Sequence, residues 1–334
     1  MSETIKVIMP MAGIGKRLYP HTLHRPKQLI SLAGKKVIDH VLDQLKKYLY
    51  MDNIEFIFIV GKHQEQIRAH METFYPGLSV SYISQDLMLG QSHAIYMAKE
   101  KLFGPQLIIF PDTLIESKSE LIPSGDVPEL DGIINVIAVS DTKSYGTVEV
   151  DSDGWVEHLQ EKSPEPKSNL AAVGYYFFSN GQKLALALDE QFSRDLKFNN
   201  EYYLTDAINI MLSQGAKFRS QNVDVWLDTG TPTALLNTNA YLLANKFDNS
   251  QEVSIHFPGN VIRPPVFIHE TAQIESSVIG PNVTIDKNCK LTRTIIANSI
   301  VQEDSEIISV SLENSLIGYN VHIESKGDSV QIDS

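Results

Sequence analysis

From Ile262 to Ile323, the residues Ile262, Ile268, Ile274, Ile279, Ile285, Leu291, Ile296, Val301, Ile307, Leu312, Ile317 and Ile323 recur at steps of five or six. Neither an α-helix nor an ordinary hairpin repeats at that interval. A solenoid does, because each short strand supplies one inward aliphatic side chain and stacked coils share a continuous prism-shaped core. The clearest unit is Ser277-Val278-Ile279-Gly280-Pro281-Asn282-Val283-Thr284-Ile285, with Gly-Pro-Asn placed to turn a corner. At about three six-residue units per coil, the segment is expected to form roughly three coils of a short, left-handed parallel β-helix.

The first 250 residues follow a different grammar. Short apolar runs at Ile5 to Pro10, Ile54 to Val60, Leu107 to Phe110 and Ile133 to Val139 alternate with amphipathic stretches. That alternation reads as an α/β domain with a Rossmann-like, mainly parallel sheet. Apolar positions three to four apart predict helices at Val37 to Tyr48, Gln64 to Phe74, Ser92 to Leu102, Tyr203 to Ser213 and Thr233 to Asn245. The expected organisation is residues 1–250 as one domain, 255–326 as the β-helix and 327–334 as a tail.

Composition removes several classes of function. A formal charge of -13 argues against a nonspecific binder of nucleic acid or anionic membrane, which needs clustered cations. Any phosphate site must be a local basic pocket. The single cysteine, Cys289, can form neither an internal disulfide nor a C-x-x-C pair, which fits a reducing cytoplasm. The chain shows no leader pattern ahead of Ile5 and no long uninterrupted apolar run, so neither secretion nor a membrane span is expected.

Ile5 to Pro10 leads into Met11-Ala12-Gly13-Ile14-Gly15-Lys16-Arg17, and Pro20, Thr22, Arg25, Pro26 and Lys27 continue an irregular segment up to Gly34. Small residues let backbone N–H groups approach an anion, and cations on both sides of the loop suit a triphosphate. This stretch resembles the sugar nucleotidyltransferases typified by glucose-1-phosphate thymidylyltransferase, with their G-x-G-x-R-L signature followed by a P-K pair, and similar landmarks continue to about residue 235. Two positions depart from the family: Ala12 stands where it has Gly, and Lys16 where it has Thr or Ser. Lys16 either adds a phosphate contact or faces solvent.

The resemblance implies a role for each matching residue. Ala12, Gly13, Gly15, Gln85 and Gly90 bind the nucleotide, with Gln85 offering the donor and acceptor that a pyrimidine edge requires. Arg17, Lys27 and Lys162 neutralise phosphate charge. Tyr145, Gly146, Glu161, Lys162, Ala172 and Glu201 hold the sugar phosphate, and Ser163 replaces the usual Pro beside them. Asp112, ending an apolar strand, and Asp228, in a W-x-D-x-G segment, hold Mg²⁺. His93 is rejected as a general base because a sugar phosphate is already anionic, and Thr205-Asp206 is expected to cap the following helix.

The implied activity transfers a nucleoside monophosphate from dTTP or UTP to a sugar 1-phosphate and releases pyrophosphate, with glucose 1-phosphate and dTTP as the family default. The alternatives are a UTP-dependent uridylyltransferase and a non-catalytic regulatory subunit. An acyltransferase in the solenoid is disfavoured, since His256, His269 and His322 fit no local pattern. A homo-oligomer assembled or regulated through the solenoid is expected.

Overall fold

The computed structural model describes residues 4–49, 51–123 and 129–325; the expected tail, 327–334, lies outside them. Compactness groups the chain differently from a cut near residue 250. One unit holds the residues up to Ile14 together with His40–Leu227, and the other holds Gly15–Asp39 together with the described residues from Asp228 onward.

The first unit is built on a nine-stranded sheet. Ile5–Pro10 pairs in parallel with Ile54–Val60 on one side and Gln106–Ile109 on the other, and Ile54–Val60 pairs in parallel with Val80–Ser84. Val7, Ile8 and Met9 are each fully buried, so both faces of this strand are covered, as a continuous aliphatic run in a parallel sheet predicts. Leu170–Phe178 then runs antiparallel to Gln106–Ile109, Gly132–Ala138 and Gly146–Val150, making the whole sheet mixed. A core that includes Ile8, Ile108, Ile134 and Phe178 packs with Ile95, Leu184, Leu188, Leu204 and Ile208 of three helices, Gln91–Met97, Gly181–Ser193 and Leu204–Ser213.

The helices Val37–Tyr48 and Gln64–Phe74 match their predicted bounds. The stretch expected at Ser92 to Leu102 divides into Gln91–Met97 and a 3-10 turn, Lys99–Lys101. Gly181–Ser193, capped by the Asn180 side chain, was not anticipated from the pattern. Thr205-Asp206 does not cap its helix: Tyr203 is the N-cap residue, and the Thr205 hydroxyl turns to Glu161 instead.

In the second unit, three four-stranded parallel sheets form the faces of a β-helix. Each face has one strand per coil, so there are four coils among the described residues rather than the expected three. The register shows why: Val261 pairs with Val278, Val278 with Ile295 and Ile295 with Ser311, giving coils of 17, 17 and 16 residues. Corners made by single left-handed residues shorten the coil below three full hexads. Asn282, Asn298 and Asn314 form one column with φ of 59°, 46° and 51°, and Asn288, Asp304 and Asn320 form another with 57°, 62° and 53°. Asn and Asp tolerate this region better than other side chains and bond along the column: Asn282 Nδ2 donates to Asn298 at 2.9 Å and Asn288 Nδ2 to Asp304 at 3.0 Å. Inside, Ile279, Ile285, Leu291, Ile296, Val301 and Ile307 are fully buried with Cys289. Burial pushes the Cys289 thiol up to about 12, which leaves it an inert packing residue.

Candidate active site

The loop after the first strand passes from one unit to the other between Ile14 and Gly15. In the first unit, Met11 N donates to Ile59 O at 2.8 Å, and a Cβ on Gly61 would lie 2.7 Å from Ala12 O. Gly61 therefore allows the close approach beside Ala12. Gly13 is exposed and a Cβ there would meet nothing within 4 Å, so internal packing does not require its glycine. An open, side-chain-free position suits approach by a ligand.

Gln85 is buried, and its Nε2 lies 2.8 Å from Nδ1 of His93. Burial lowers the His93 pKa, which favours a neutral ring able to accept that bond. His93, rejected as a base, thus orients the Gln85 amide. Gly90 has φ of 103°, and a Cβ there would lie 2.5 Å from Tyr202 O, so its glycine is demanded by the neighbouring backbone.

The densest polar cluster lies around Glu161 and Lys162. Strand pairing sets Glu161 opposite Gly146, where a Cβ would come within 3.1 Å of the carboxylate. Burial pushes the Glu161 carboxyl up to about 7 despite the adjacent Lys162. Lys162 adopts φ of 40°, an unfavourable left-handed conformation for a lysine, and its ammonium donates to Tyr203 Oη at 3.1 Å. Tyr203 Oη donates to Glu201 at 2.9 Å, and Thr205 Oγ1 to Glu161 at 3.4 Å. Ser163 Oγ accepts from Glu165 N, so it makes the local turn in place of proline. Tyr145 accepts from Lys162 N through its carbonyl and packs edge-on against Trp226 with ring centroids 4.7 Å apart. The buried Trp226 Nε1–H has no acceptor among the described residues.

Asp112 follows the strand Gln106–Ile109 in a turn closed by Thr113 N donating to Phe110 O. Ala172 stands at a bulge in Leu170–Phe178, where Gly174 turns with φ of 83° against Phe110. The structure thus brings together Tyr145, Gly146, Glu161, Lys162 and Glu201, and it adds Tyr203, Thr205 and Trp226, which the sequence reading did not select for substrate.

In the second unit, Gly15 (φ 66°) opens the turn Lys16–Leu18, and Thr22 Oγ1 donates to its carbonyl at 2.9 Å. Arg17 reaches the W-x-D-x-G segment. A Cβ on Gly230 would lie 2.7 Å from its guanidinium and 3.0 Å from Asp228 Oδ1, so glycine there makes room for both groups. Asp228 also accepts from Gly230 N at 2.9 Å. Lys27 begins the turn Lys27–Leu29 in the same unit.

The fold is shared with solved nucleotidyltransferases: a UDP-glucose pyrophosphorylase crystallised with UDP-glucose superposes with a TM-score of 0.60 over 74% of this chain and all of its own, at 20% identity. A family model described as nucleotidyl transferase matches residues 6–245, and one described as GMPPB C-terminal domain matches residues 262–332. The chain belongs to the nucleotidyl transferase family. It is 28% identical to a glucose-1-phosphate thymidylyltransferase of Streptomyces antibioticus over 96% of this chain and 93% of that one. A bifunctional protein GlmU of Methanococcus vannielii is 29% identical over 75% of this chain but only 59% of its own length.

Proposed function

We propose that this chain is a sugar-1-phosphate nucleotidyltransferase that makes a nucleoside diphosphate sugar, with dTTP and glucose 1-phosphate as substrates. The observation that carries the proposal is the Lys162, Tyr203, Glu201 and Glu161 constellation: one cation for a phosphate beside carboxylates and hydroxyls for sugar hydroxyl groups. The near full-length likeness to a thymidylyltransferase supports the base and sugar. UTP is the second candidate, because the Gln85 amide can pair with uracil and thymine alike.

The reaction is an in-line displacement in which a sugar 1-phosphate oxygen attacks the α-phosphorus and pyrophosphate leaves. Lys162 holds the attacking phosphate, with Glu161 and Glu201 engaging the sugar. Backbone N–H groups around Ala12, Gly13 and Gly15 receive the triphosphate, with Arg17 and Lys27 countering its charge. Gln85, oriented by His93, reads the base while Gly90 shapes the wall beside it, and Tyr145, Gly146 and Ala172 border the sugar. Asp112 and Asp228 are the residues assigned to Mg²⁺, which when bound would neutralise charge building on the α-phosphate. Two partly exposed carboxylates fit an ion that prefers few protein ligands and completes its shell with water and phosphate oxygens. Catalysis is then positioning and charge neutralisation, with no covalent enzyme intermediate.

The test is pyrophosphate release from purified protein with Mg²⁺ and glucose 1-phosphate, run in parallel with dTTP, UTP, CTP, ATP and GTP. Release with dTTP is expected. No release with any triphosphate, over several sugar phosphates, would favour the regulatory-subunit alternative.

A further inference from the structure

Arg25, in the irregular segment after Gly15, and Lys36, just beyond Gly34, are both committed to the β-helix. Arg25 pairs with Glu303, and Lys36 lies 3.4 Å from both Glu303 and Asp286. Lys287 joins Glu303 at 3.1 Å. Three cations thus share two carboxylates, each of them buried. Burial would raise the Glu303 carboxyl, but Lys36, Arg25 and Lys287 outweigh it and hold the group down at about 2.

The same strip of solenoid grips the backbone of the loop. Ser31 N donates to Gln302 Oε1 at 2.9 Å, while Gln302 Nε2 donates back to Ser31 O at 3.0 Å. Ser31 Oγ donates to Asp286, and Lys36 Nζ donates to Ser31 Oγ at 2.6 Å. Asn239 extends the clamp, accepting from Ala33 N at 3.0 Å and from Thr284 Oγ1 at 2.6 Å. The strip is separate from the solenoid's apolar core, so the coil does not need it in order to close.

We infer that Glu303, with Asp286 and Gln302, is a positioning element for the reaction: the β-helix fixes the segment Gly15–Asp39 and thereby sets where Arg17 and Lys27 stand. Arg25 and Lys36 are tethers rather than phosphate ligands. A network with so many mutually dependent, desolvated partners specifies one geometry more than it adds net stability. This assignment rests on the proposed reaction for its kinetic consequence but not for its structural one.

The decisive experiment compares Glu303→Ala, Gln302→Ala and Arg25→Ala with the parent chain by amide hydrogen exchange and by steady-state kinetics. Exchange in residues 15–36 should rise in Glu303→Ala while the solenoid strands keep their protection. KM for the nucleoside triphosphate should rise about tenfold or more with KM for the sugar phosphate within about twofold, since a small misplacement of binding groups carries a large kinetic penalty. Glu303→Asp should recover part of the loss, and Arg25→Ala combined with Glu303→Ala should be no worse than the more impaired single variant. Should the chain prove inactive, the exchange result still decides the tether. Unchanged exchange in 15–36, or equal losses for both substrates, would overturn the inference. Loss of protection throughout the solenoid in Glu303→Ala would overturn it too, unless Gln302→Ala, which removes no charge, still loosens residues 15–36 alone.

Discussion

The ammonium of Lys162 donates to the phenol of Tyr203 at 3.1 Å, and that phenol donates onward to Glu201. The ammonium also stands over the Tyr203 ring, 4.6 Å from its centroid. A lysine held in a left-handed backbone conformation is therefore steadied from both its main chain and its head group.

Lys162→Ala should lower kcat/KM for the sugar phosphate by about a hundredfold or more, the scale seen when one donor to developing charge is removed. Tyr203→Phe removes only the hydroxyl and should produce a smaller loss in the same parameter, leaving KM for the triphosphate unchanged. Initial rates over a matrix of both substrates separate the two effects.

Glu161 titrates near 7 in the folded chain against 4.5 in its ordinary state. Its raised value means the folded protein holds the proton more tightly, so stability should fall as pH rises from about 4.5 to about 7. Binding runs the other way, because the carboxylate is the better acceptor of sugar hydroxyls: KM for the sugar phosphate should increase as pH drops through about 7. Glu161→Gln should flatten both profiles, as read by thermal melts and kinetics across that range.

Protonating His93 would turn its Nδ1 from acceptor to donor and break the bond from Gln85. Because burial lowers its pKa below the usual 6.5, this loss should set in only on the acid side of that value, as a rise in KM for the nucleotide. His93→Ala should show the raised KM at every pH, whereas Gln85→Ala should also reduce discrimination among triphosphates.

Solenoid corners offer a test of backbone conformation. Asn298 has φ of 46° and accepts from Asn282. Asn298→Ala should cost about 1–2 kcal/mol through the left-handed penalty alone, and Asn298→Gly should cost less. For comparison, Ile307→Ala in the sealed core should cost about 2–5 kcal/mol. Denaturant melts of the three variants rank them.

Much of this was legible in the chain. Runs such as Ile54 to Val60 are long and aliphatic enough to announce a buried strand, and the five-or-six spacing announced the solenoid. The number of coils was not legible, because it depends on corners that spend one left-handed residue, and Asn and Asp serve there as well as glycine. The roles of Tyr203, Thr205 and Trp226 were hidden for another reason. Each looks like a packing or capping residue locally, and only contacts distant in sequence set Tyr203 on Lys162, Thr205 on Glu161 and Trp226 against Tyr145. The partner of Arg25 was not legible either, since Glu303 lies far along the chain and only the folded solenoid brings it there.

The grouping of Gly15–Asp39 with the residues from Asp228 onward also says where this protein can be cut and rejoined. A chimera that exchanged everything before residue 250 with a relative would part Ser31 from Gln302 and Arg25 from Glu303. Seams at Ile14, Asp39 and Leu227 would carry each tether across with its anchor. Recombination in such a chain is therefore constrained by two distant stretches that must be inherited together.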